Sequence, residues 1–170
     1  MKINFAAGKQ VWRDFYCIDA VQHPKAPRSL DLVHALRFEG ERLSNPIPLP
    51  DGCATELHSY HFLEHVYRWE APALVAEWRR LLKPGGLLVL ELPNIKLAAK
   101  NLTAGMDDQM TMWGFYGDPS WRDPFMCHRW GYTPETVKVL LLGFEKVKTL
   151  PPRTHGAKTQ RDMRIEAYKL

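Results

Sequence analysis

A glycine turn followed by an acidic residue is the first feature of the chain that could carry out chemistry. Gly8 follows a candidate strand from Lys2 to Ala6, and Asp19 ends a second candidate strand from Phe15 to Ile18. Glycine lets a ligand approach the backbone closely, because it has no side chain and accepts unusual backbone angles. A carboxylate at the end of the next strand can accept hydrogen bonds from both hydroxyls of a ribose. The pair predicts a site for a ribose-containing ligand at the carboxyl edge of a parallel sheet.

Two histidines and a glutamate form a second group, His61-Phe62-Leu63-Glu64-His65. Its H-x-x-E-H spacing is that of a zinc site when all five residues lie on one helix, with Glu64 as the base. The alternative is that His61 lies at a strand-to-helix junction, and that Glu64 and His65 bond to nearby backbone. We adopt this second interpretation and predict no metal site.

The segment from residue 95 to residue 131 mixes aromatic and polar side chains without a clear helical or strand period. Such a mixture can line a small-molecule pocket, so we interpret the segment as a substrate-covering insertion. The alternative for each side chain is simple packing onto the sheet. His128 is the candidate general base, because the pKa of an unperturbed histidine lies near neutrality. The other candidates for this pocket are Asp107, Asp108, Trp113, Tyr116, Trp121, Asp123, Arg129 and Trp130.

Charge and cysteine content argue against several classes of protein. The net charge is only +4, from 23 basic and 19 acidic residues that are mostly scattered, so nucleic-acid binding is not expected. The three cysteines are far apart and include no C-x-x-C pair, which argues against disulfides and a cysteine zinc site. The longest apolar run, Leu87 to Leu90, is too short to span a membrane, and we expect a cytoplasmic protein.

Alternating strands and helices predict an α/β fold with a mostly parallel sheet, in one domain over residues 1–170. Two final strands joined without a helix predict an antiparallel C-terminal hairpin. The remaining expected elements are a strand or short helix at Leu30–Leu36, a strand at Glu56–Tyr60, a short helix within His61–Val66, a helix at Pro72–Leu82, a strand at Leu87–Leu92, a helix at Pro134–Leu142, and strands at Phe144–Leu150 and Met163–Tyr168.

Several of these stretches resemble one known family. The run from Ile3 to Gly8 (INFAAG), followed by the run from Asp14 to Asp19 (DFYCID), is similar to L-N-L-G-C-G … G-W-x-N-V-D. That pattern opens a short-loop subgroup of the class I, Rossmann-like, S-adenosylmethionine-dependent methyltransferases with a type 11-like domain. Further blocks resemble the family in the same order along the chain: Leu49–Gly52, Ser59–Val66, Leu81–Leu90 and His128–Glu135.

The resemblance implies a seven-stranded sheet, a reduced or missing first helix, and S-adenosyl-L-methionine as the cofactor. It implies that Asp19 holds the ribose and that Ala20 lies beside the adenine. Tyr60 and His61 would face the methionine and the methyl group. The amino-acid portion of the cofactor would lie against the first turn, at Asn4, Ala6, Ala7 and Gly8. Ala6 and Ala7 depart from the family pattern, which has glycine at the first of these positions.

The resulting prediction is a methyltransferase acting on an unidentified, small-molecule acceptor, with His128 and His61 as catalytic candidates. It includes a possible homodimer and no membrane partner. The alternative is a methyltransferase-like fold without catalysis, which serves as a binding or assembly module. A hydrolase with zinc on His61 and His65 is a further alternative, and a dinucleotide oxidoreductase would need G-x-G-x-x-G, which the chain lacks.

Overall fold

A seven-stranded sheet forms the centre of the protein in the computed structural model, which describes residues 1–23, 29–106, 108–154 and 160–170. The strand order is β3-β2-β1-β6-β7-β9-β8, and β4 and β5 form a separate two-stranded ribbon. Strands β1, β2, β3, β6 and β7 run parallel, whereas β9 is antiparallel to both β7 and β8. The strands are β1 Lys2–Phe5, β2 Tyr16–Asp19, β3 Leu32–Val33, β4 Phe38–Glu39, β5 Arg42–Leu43, β6 Ala54–Tyr60, β7 Leu82–Pro93, β8 Phe144–Leu150 and β9 Asp162–Lys169.

The described residues include four α-helices beside the sheet: α1 Ala71–Leu81, α2 Ile95–Thr103, α3 Asp108–Tyr116 and α4 Pro134–Leu140. Helix α1 is amphipathic, and its Leu74, Trp78 and Leu81 are fully buried. The ring centroids of Trp78 and Phe5 are 5.6 Å apart in an edge-to-face arrangement, so the helix packs on the end of β1. None of the helices in the described ranges is long and apolar enough to cross a bilayer.

The two faces of the sheet differ in polarity. Side chains alternate between faces along each strand. Leu57 and Leu88, which are paired in register, belong to the main hydrophobic core. Three residues beyond Leu88, Glu91 of β7 lies on the opposite face, where its carboxylate accepts a 2.9 Å hydrogen bond from Arg164. It also accepts bonds from the backbone amides of Arg153 (2.9 Å) and Thr154 (3.0 Å), which fixes the start of the β8–β9 connection.

The segment from residue 95 to residue 131 leaves and returns to the sheet at one point. The amide of Ile95 donates to the carbonyl oxygen of Tyr132 at 3.0 Å, and Asn94 and Tyr132 form an isolated parallel bridge. The Asn94 side chain also accepts from the amide of Lys96 (3.1 Å), which caps α2. The two ends of the insertion are therefore joined.

The parallel sheet with an antiparallel C-terminal pair, expected from the sequence, is confirmed. Residues 6–15 form turns rather than a helix, so the first helix is missing as the resemblance implied. The predicted strand or helix at Leu30–Leu36 is wrong in extent, because only Leu32–Val33 pairs with β2. The predicted short helix within His61–Val66 is limited to one 3-10 turn, Leu63–His65.

Helices α2 and α3 were missed by the sequence analysis, which found no regular period between residues 95 and 131. The reason is clearest in α3, where methionine and aromatic residues occur all around the helix rather than on one stripe. Two short 3-10 turns, Pro119–Trp121 and Pro124–Met126, follow in the same segment.

Candidate functional site

The turn after β1 and the end of β2 are tied together by Asp19. The amide of Gly8 donates to Oδ2 of Asp19 at 2.6 Å, and the amide of Ala20 donates to Oδ1 at 2.6 Å. Each carboxylate oxygen has two acceptor sites, so both oxygens keep one for a further donor. The carboxylate is half-buried at the carboxyl edge of the sheet. It is thus oriented by the backbone and still able to accept from two hydroxyl groups.

Open space lies above the glycine turn. Gly8 has φ +53, and a Cβ added to it would meet no atom of the described residues within 4 Å. Its backbone angle favours glycine, and its surroundings leave room for a ligand against the main chain. These two properties are what a cofactor lying across the turn needs.

Ala6 adopts φ 56, which is the left-handed region that glycine occupies readily and alanine does not. The side chain of Ala6 packs against the main hydrophobic core. The family glycine is therefore replaced by a residue that keeps the glycine-like backbone angle. For an L-residue this angle costs on the order of 1–2 kcal/mol.

Asn4 and Ala7 hold the turn from within the protein. Asn4 is 1% exposed, and its Nδ2 donates to the carbonyl oxygen of Gln10 at 2.5 Å. The amide of Ala7 donates to the carbonyl oxygen of Ile18 at 3.1 Å. The resemblance assigned both residues to the cofactor, and the structure places them as supports of the loop around Gly8.

Tyr60, at the end of β6, lies under the same loop. Its ring centroid is 5.3 Å from that of Trp12, and its hydroxyl forms a 2.8 Å hydrogen bond with Nδ1 of His58. Burial raises the pKa of Tyr60, so the phenol stays neutral near pH 7. The tyrosine hydroxyl is thus engaged on the polar face of the sheet.

His61 follows Tyr60 and lies between two carboxylates. It adopts φ 52, which turns the chain sharply after β6. Nδ1 is 3.2 Å from Oε1 of Glu64, and Nε2 is 3.2 Å from Oδ2 of Asp162. Burial opposes the charged imidazolium, but the hydrogen bonds to Asp162 and Glu64 outweigh it and raise the pKa of His61 to about 9.

Glu64 is the partner of His61 and is almost completely buried, with 2% of its side chain exposed. Burial alone would raise the pKa of Glu64, but the hydrogen bond and charge of His61 lower it to about 2. Its main-chain carbonyl oxygen accepts from the amides of Arg129 (2.7 Å) and Trp130 (3.2 Å). Glu64 therefore joins the end of β6 to the end of the insertion.

His128 lies beside Glu64, and its pKa is shifted in the opposite direction from that of His61. Its Nδ1 is 3.1 Å from the carbonyl oxygen of Gly114, and its Nε2 is 3.9 Å from Oε1 of Glu64. Burial lowers the pKa of His128, which favours the neutral ring near pH 7. The ring packs edge-on against His65, with the ring centroids 4.9 Å apart.

The H-x-x-E-H residues do not lie on one helix. His61 turns toward Asp162, whereas Nδ1 of His65 is 3.3 Å from the carbonyl oxygen of Cys127. The two histidines of the pattern therefore have different neighbours. This agrees with the interpretation that His61 lies at a strand end and that His65 bonds to the backbone.

Three buried residues near His61 and Glu64 were not singled out from the sequence: Tyr132, Arg161 and Asp162. Nε of Arg161 is 3.7 Å from Oδ1 of Asp162, and both side chains are at most 4% exposed. Tyr132 stood in one of the blocks that resembled the family, but nothing marked it as buried. Arg161 and Asp162 lie about 100 residues beyond His61, and only the pairing of β7 with β9 brings them together.

The insertion forms a cavity of about 690 Å³. Its lining includes Met112, Trp113, Tyr116, Arg122 and Met126, and it reaches Cys127, next to His128. The polar–aromatic mixture of this segment thus lines an open cleft of the size that small-molecule ligands occupy. Asp107, one of the residues expected there, lies outside the described residues.

Solved structures of methyltransferases share this fold. An S-adenosylmethionine-dependent methyltransferase from Archaeoglobus fulgidus superposes with a TM-score of 0.64 and 18% identity, over 99% of this chain and 85% of that chain. The 1,6-didemethyltoxoflavin-N1-methyltransferase of Burkholderia thailandensis was solved with bound 1,6-didemethyltoxoflavin and S-adenosylhomocysteine. It superposes with a TM-score of 0.58 and 13% identity, over 99% of this chain and 70% of that chain. A putative methyltransferase in complex with the Haloferax volcanii Trm112 activator superposes with a TM-score of 0.55 and 11% identity, over 99% of this chain and 81% of that chain.

The family is shown by a match of the sequence itself. The family described as a methyltransferase domain matches residues 6–90, which include the Gly8 turn, Asp19 and the strand that ends at Tyr60. The chain belongs to the class I S-adenosylmethionine-dependent methyltransferases. A comparison with curated protein sequences finds no match.

Proposed function

We propose that the protein binds S-adenosylmethionine and transfers its methyl group to a small-molecule acceptor. The observation that carries this proposal is the hydrogen bonding of Asp19 to the Gly8 amide at 2.6 Å, which sets a carboxylate with free acceptor capacity beside an open glycine turn. The donor set suits a nucleoside, since the carboxylate can take both ribose hydroxyls and the glycine main chain leaves room beside them.

Binding of the cofactor would supply a methyl group on a sulfonium centre, which already carries its own leaving group. The chain then needs to hold an acceptor in line with that methyl, and such positioning alone can lower a barrier by several kcal/mol. Strand ends β1, β2 and β6 surround the turn and supply a rigid frame for this alignment.

Of the two catalytic candidates, we favour His128 as the proton acceptor for an acceptor group that must lose a proton. A carbonyl oxygen only accepts, so the contact with Gly114 places the proton of neutral His128 on Nδ1 and leaves the lone pair on Nε2. His61 has both ring nitrogens against carboxylates and is better suited to orienting the cluster than to taking a proton.

The cavity of the insertion supports a small organic acceptor. The substrate-bound Burkholderia methyltransferase acts on a small heteroaromatic molecule, and its fold extends over 99% of this chain. Aromatic and methionine side chains at Trp113, Tyr116 and Met112 favour a flat or apolar acceptor over a highly charged one.

The test is calorimetry of the full chain with S-adenosylmethionine and with S-adenosylhomocysteine. We expect one molecule of either to bind per chain. No binding at millimolar concentration would reject the cofactor and leave the non-catalytic binding module as the function. Incubation with a panel of small acceptors then tests turnover, measured as release of S-adenosylhomocysteine. Methylated product from any acceptor supports the proposal that the protein is an enzyme.

Two further expectations from the sequence belong to this proposal. We infer a cytoplasmic enzyme, which cell fractionation tests. We also propose a homodimer, which light scattering of the purified chain tests: a mass near 19.7 kDa would indicate a monomer instead.

A further inference from the structure

Three side chains from two distant parts of the chain converge beside the end of β6. Glu64 and His65 belong to the 3-10 turn Leu63–His65, and His128 precedes α4. One possible ligand atom from each of the three lies within 4.8 Å of the other two. The two stretches are held together by the backbone bonds from Arg129 and Trp130 to Glu64, so the convergence is fixed by the main chain.

Both histidines carry the backbone contact that is typical of metal-binding histidines. Nδ1 of His65 is 3.3 Å from the carbonyl oxygen of Cys127, and Nδ1 of His128 is 3.1 Å from that of Gly114. Because each carbonyl oxygen needs a donor, each neutral ring has its proton on Nδ1 and its lone pair on Nε2. Histidines that bind metal ions are oriented by such contacts of the other ring nitrogen.

The carboxylate of Glu64 has unused capacity at this point. Oε1 pairs with His61, but Oε2 is buried and forms no hydrogen bond with any residue in the described ranges. A buried charged oxygen without a partner is costly, and a cation would remove that cost. This is an observation independent of the two histidines, and it indicates the same ligand.

We propose that Glu64, His65 and His128 bind one divalent transition-metal ion, with Zn²⁺ as the ion that the donor set fits best. Two imidazole nitrogens and one carboxylate oxygen suit zinc and are unsuited to calcium or magnesium, which prefer oxygen ligands. His65 is partly exposed, so a fourth position is open to solvent. This set shares Glu64 and His65 with the H-x-x-E-H pattern but uses His128 in place of His61.

To bind zinc, the three ligand atoms must move closer to one another. Ligand bonds of about 2.0–2.2 Å around tetrahedral zinc put neighbouring ligand atoms roughly 3.4 Å apart. The candidate ligand atoms of Glu64, His65 and His128 lie within 4.8 Å of one another. Nε2 of His128 is 3.9 Å from Oε1 of Glu64, the oxygen that also pairs with His61. The His61 and Arg161 cations oppose a further positive charge here, and Asp162 lies within 4 Å of both and offsets them.

Zinc at this position would have two consequences. It would link the end of the insertion to the end of β6 through side chains as well as through the main chain. It would also occupy Nε2 of His128, so the zinc-bound protein would lack the proton acceptor proposed above. Metal binding is measured without cofactor or acceptor, and its outcome is therefore separate from that of the proposed function.

The experiment begins with the full chain, freed of metal by a chelator and titrated with ZnCl₂ by calorimetry. We expect one site with a dissociation constant below about 10 µM, at least a tenfold loss of affinity in His128→Ala and in His65→Ala, and no change in the matched control His34→Ala. Cys127→Ser is expected to bind zinc as wild type does, because Cys127 contacts His65 through its main-chain carbonyl oxygen, which the substitution keeps. Circular dichroism verifies the folding of each variant.

Titration of the unaltered chain with Co²⁺ needs no variant, and we expect the visible absorption of a four-coordinate nitrogen–oxygen site. The proposal is overturned if wild type binds less than about half an equivalent of Zn²⁺ at 100 µM free metal. It is equally overturned if His128→Ala binds as wild type, if Cys127→Ser abolishes binding, or if His61→Gln loses zinc while His128→Ala retains it. The last result would assign the ion to the H-x-x-E-H pair.

Discussion

The main-chain amide of Gly8 donates a 2.6 Å hydrogen bond to Oδ2 of Asp19, which lies 11 positions further along the chain. This contact fixes the turn after β1 relative to the end of β2, so the glycine and the carboxylate act as one unit. The proposed cofactor site depends on that unit more than on any other contact. Its consequences can be measured at each of the two residues and at their neighbours.

Asp19→Ala is expected to weaken binding of S-adenosylhomocysteine at least about tenfold, because a hydrogen bond to a charged group contributes about 1.5–3 kcal/mol. Calorimetry measures the affinity, and a thermal melt checks that the turn survives the loss of the two amide bonds. The matched control is Asp14→Ala, an exposed carboxylate in the same loop, which should bind normally. Equal affinity of the two variants would remove Asp19 from the site.

Ala6→Gly and Ala7→Gly are expected to differ in stability although both remove one methyl group. Ala6 has φ 56, so glycine relieves strain there, whereas Ala7 is buried and gains only unfolded-state freedom. We expect the Ala6 variant to be more stable than the Ala7 variant by about 1–2 kcal/mol. Urea denaturation measures the difference, and equal destabilisation of both would contradict the strain at Ala6.

Glu91→Gln is expected to lower the free energy of unfolding by about 3 kcal/mol at pH 7, because it breaks a buried pair with Arg164. Burial alone would raise the pKa of Glu91, but the bonds from Thr154, Arg164 and the Arg153 amide lower it. A lowered pKa in the folded state stabilises the protein above the unfolded pKa, which is about 4.3 for glutamate. That stability is lost as the pH falls through the folded value.

The difference between wild type and Glu91→Gln should therefore be constant from neutral pH down to about pH 5 and shrink at lower pH. Urea denaturation at a series of pH values measures it. Glu145→Gln is the control, since Glu145 forms an ion pair with Lys146 at the surface and should change stability by less than about 1 kcal/mol. A difference that grows with acidity would contradict the assigned pKa direction.

Thr133→Ala is expected to lower the free energy of unfolding by about 1 kcal/mol, the usual cost of losing a helix N-cap. The Thr133 hydroxyl accepts from the amide of Thr136 at 3.3 Å, and the Thr136 hydroxyl accepts from the amide of Thr133 at 2.9 Å. Thr103→Ala, in the exposed last turn of α2, should stay within about 0.5 kcal/mol of wild type. Thermal unfolding compares the two, and the same small effect from both would show that the cap contributes little.

The fold could be predicted where the signal is local. The helix expected at Pro134 begins at that residue, and Leu87–Leu92 lies within strand β7, as its mostly apolar sequence indicated. The helices inside the insertion were not predicted, and in α3 the reason is that the apolar residues surround the helix and give no period. Its helices are determined by packing that a single sequence does not display.

The candidate site could be predicted only in part, for a related reason. Gly8 and Asp19 are close in sequence, and each follows a strand, so their meeting follows from the parallel sheet. Asp162 meets His61 only because β9 pairs antiparallel with β7. The raised pKa of His61 depends in part on that meeting, and no spacing within the sequence encodes it.

The hydrogen bond between Ile95 and Tyr132 has a consequence for the insertion. Residues 95–131 begin and end at one place on the sheet, so their length and composition can change without shifting the register of any strand. We therefore expect that replacing this segment would change the proposed acceptor pocket and leave the turn at Gly8 and the core in place.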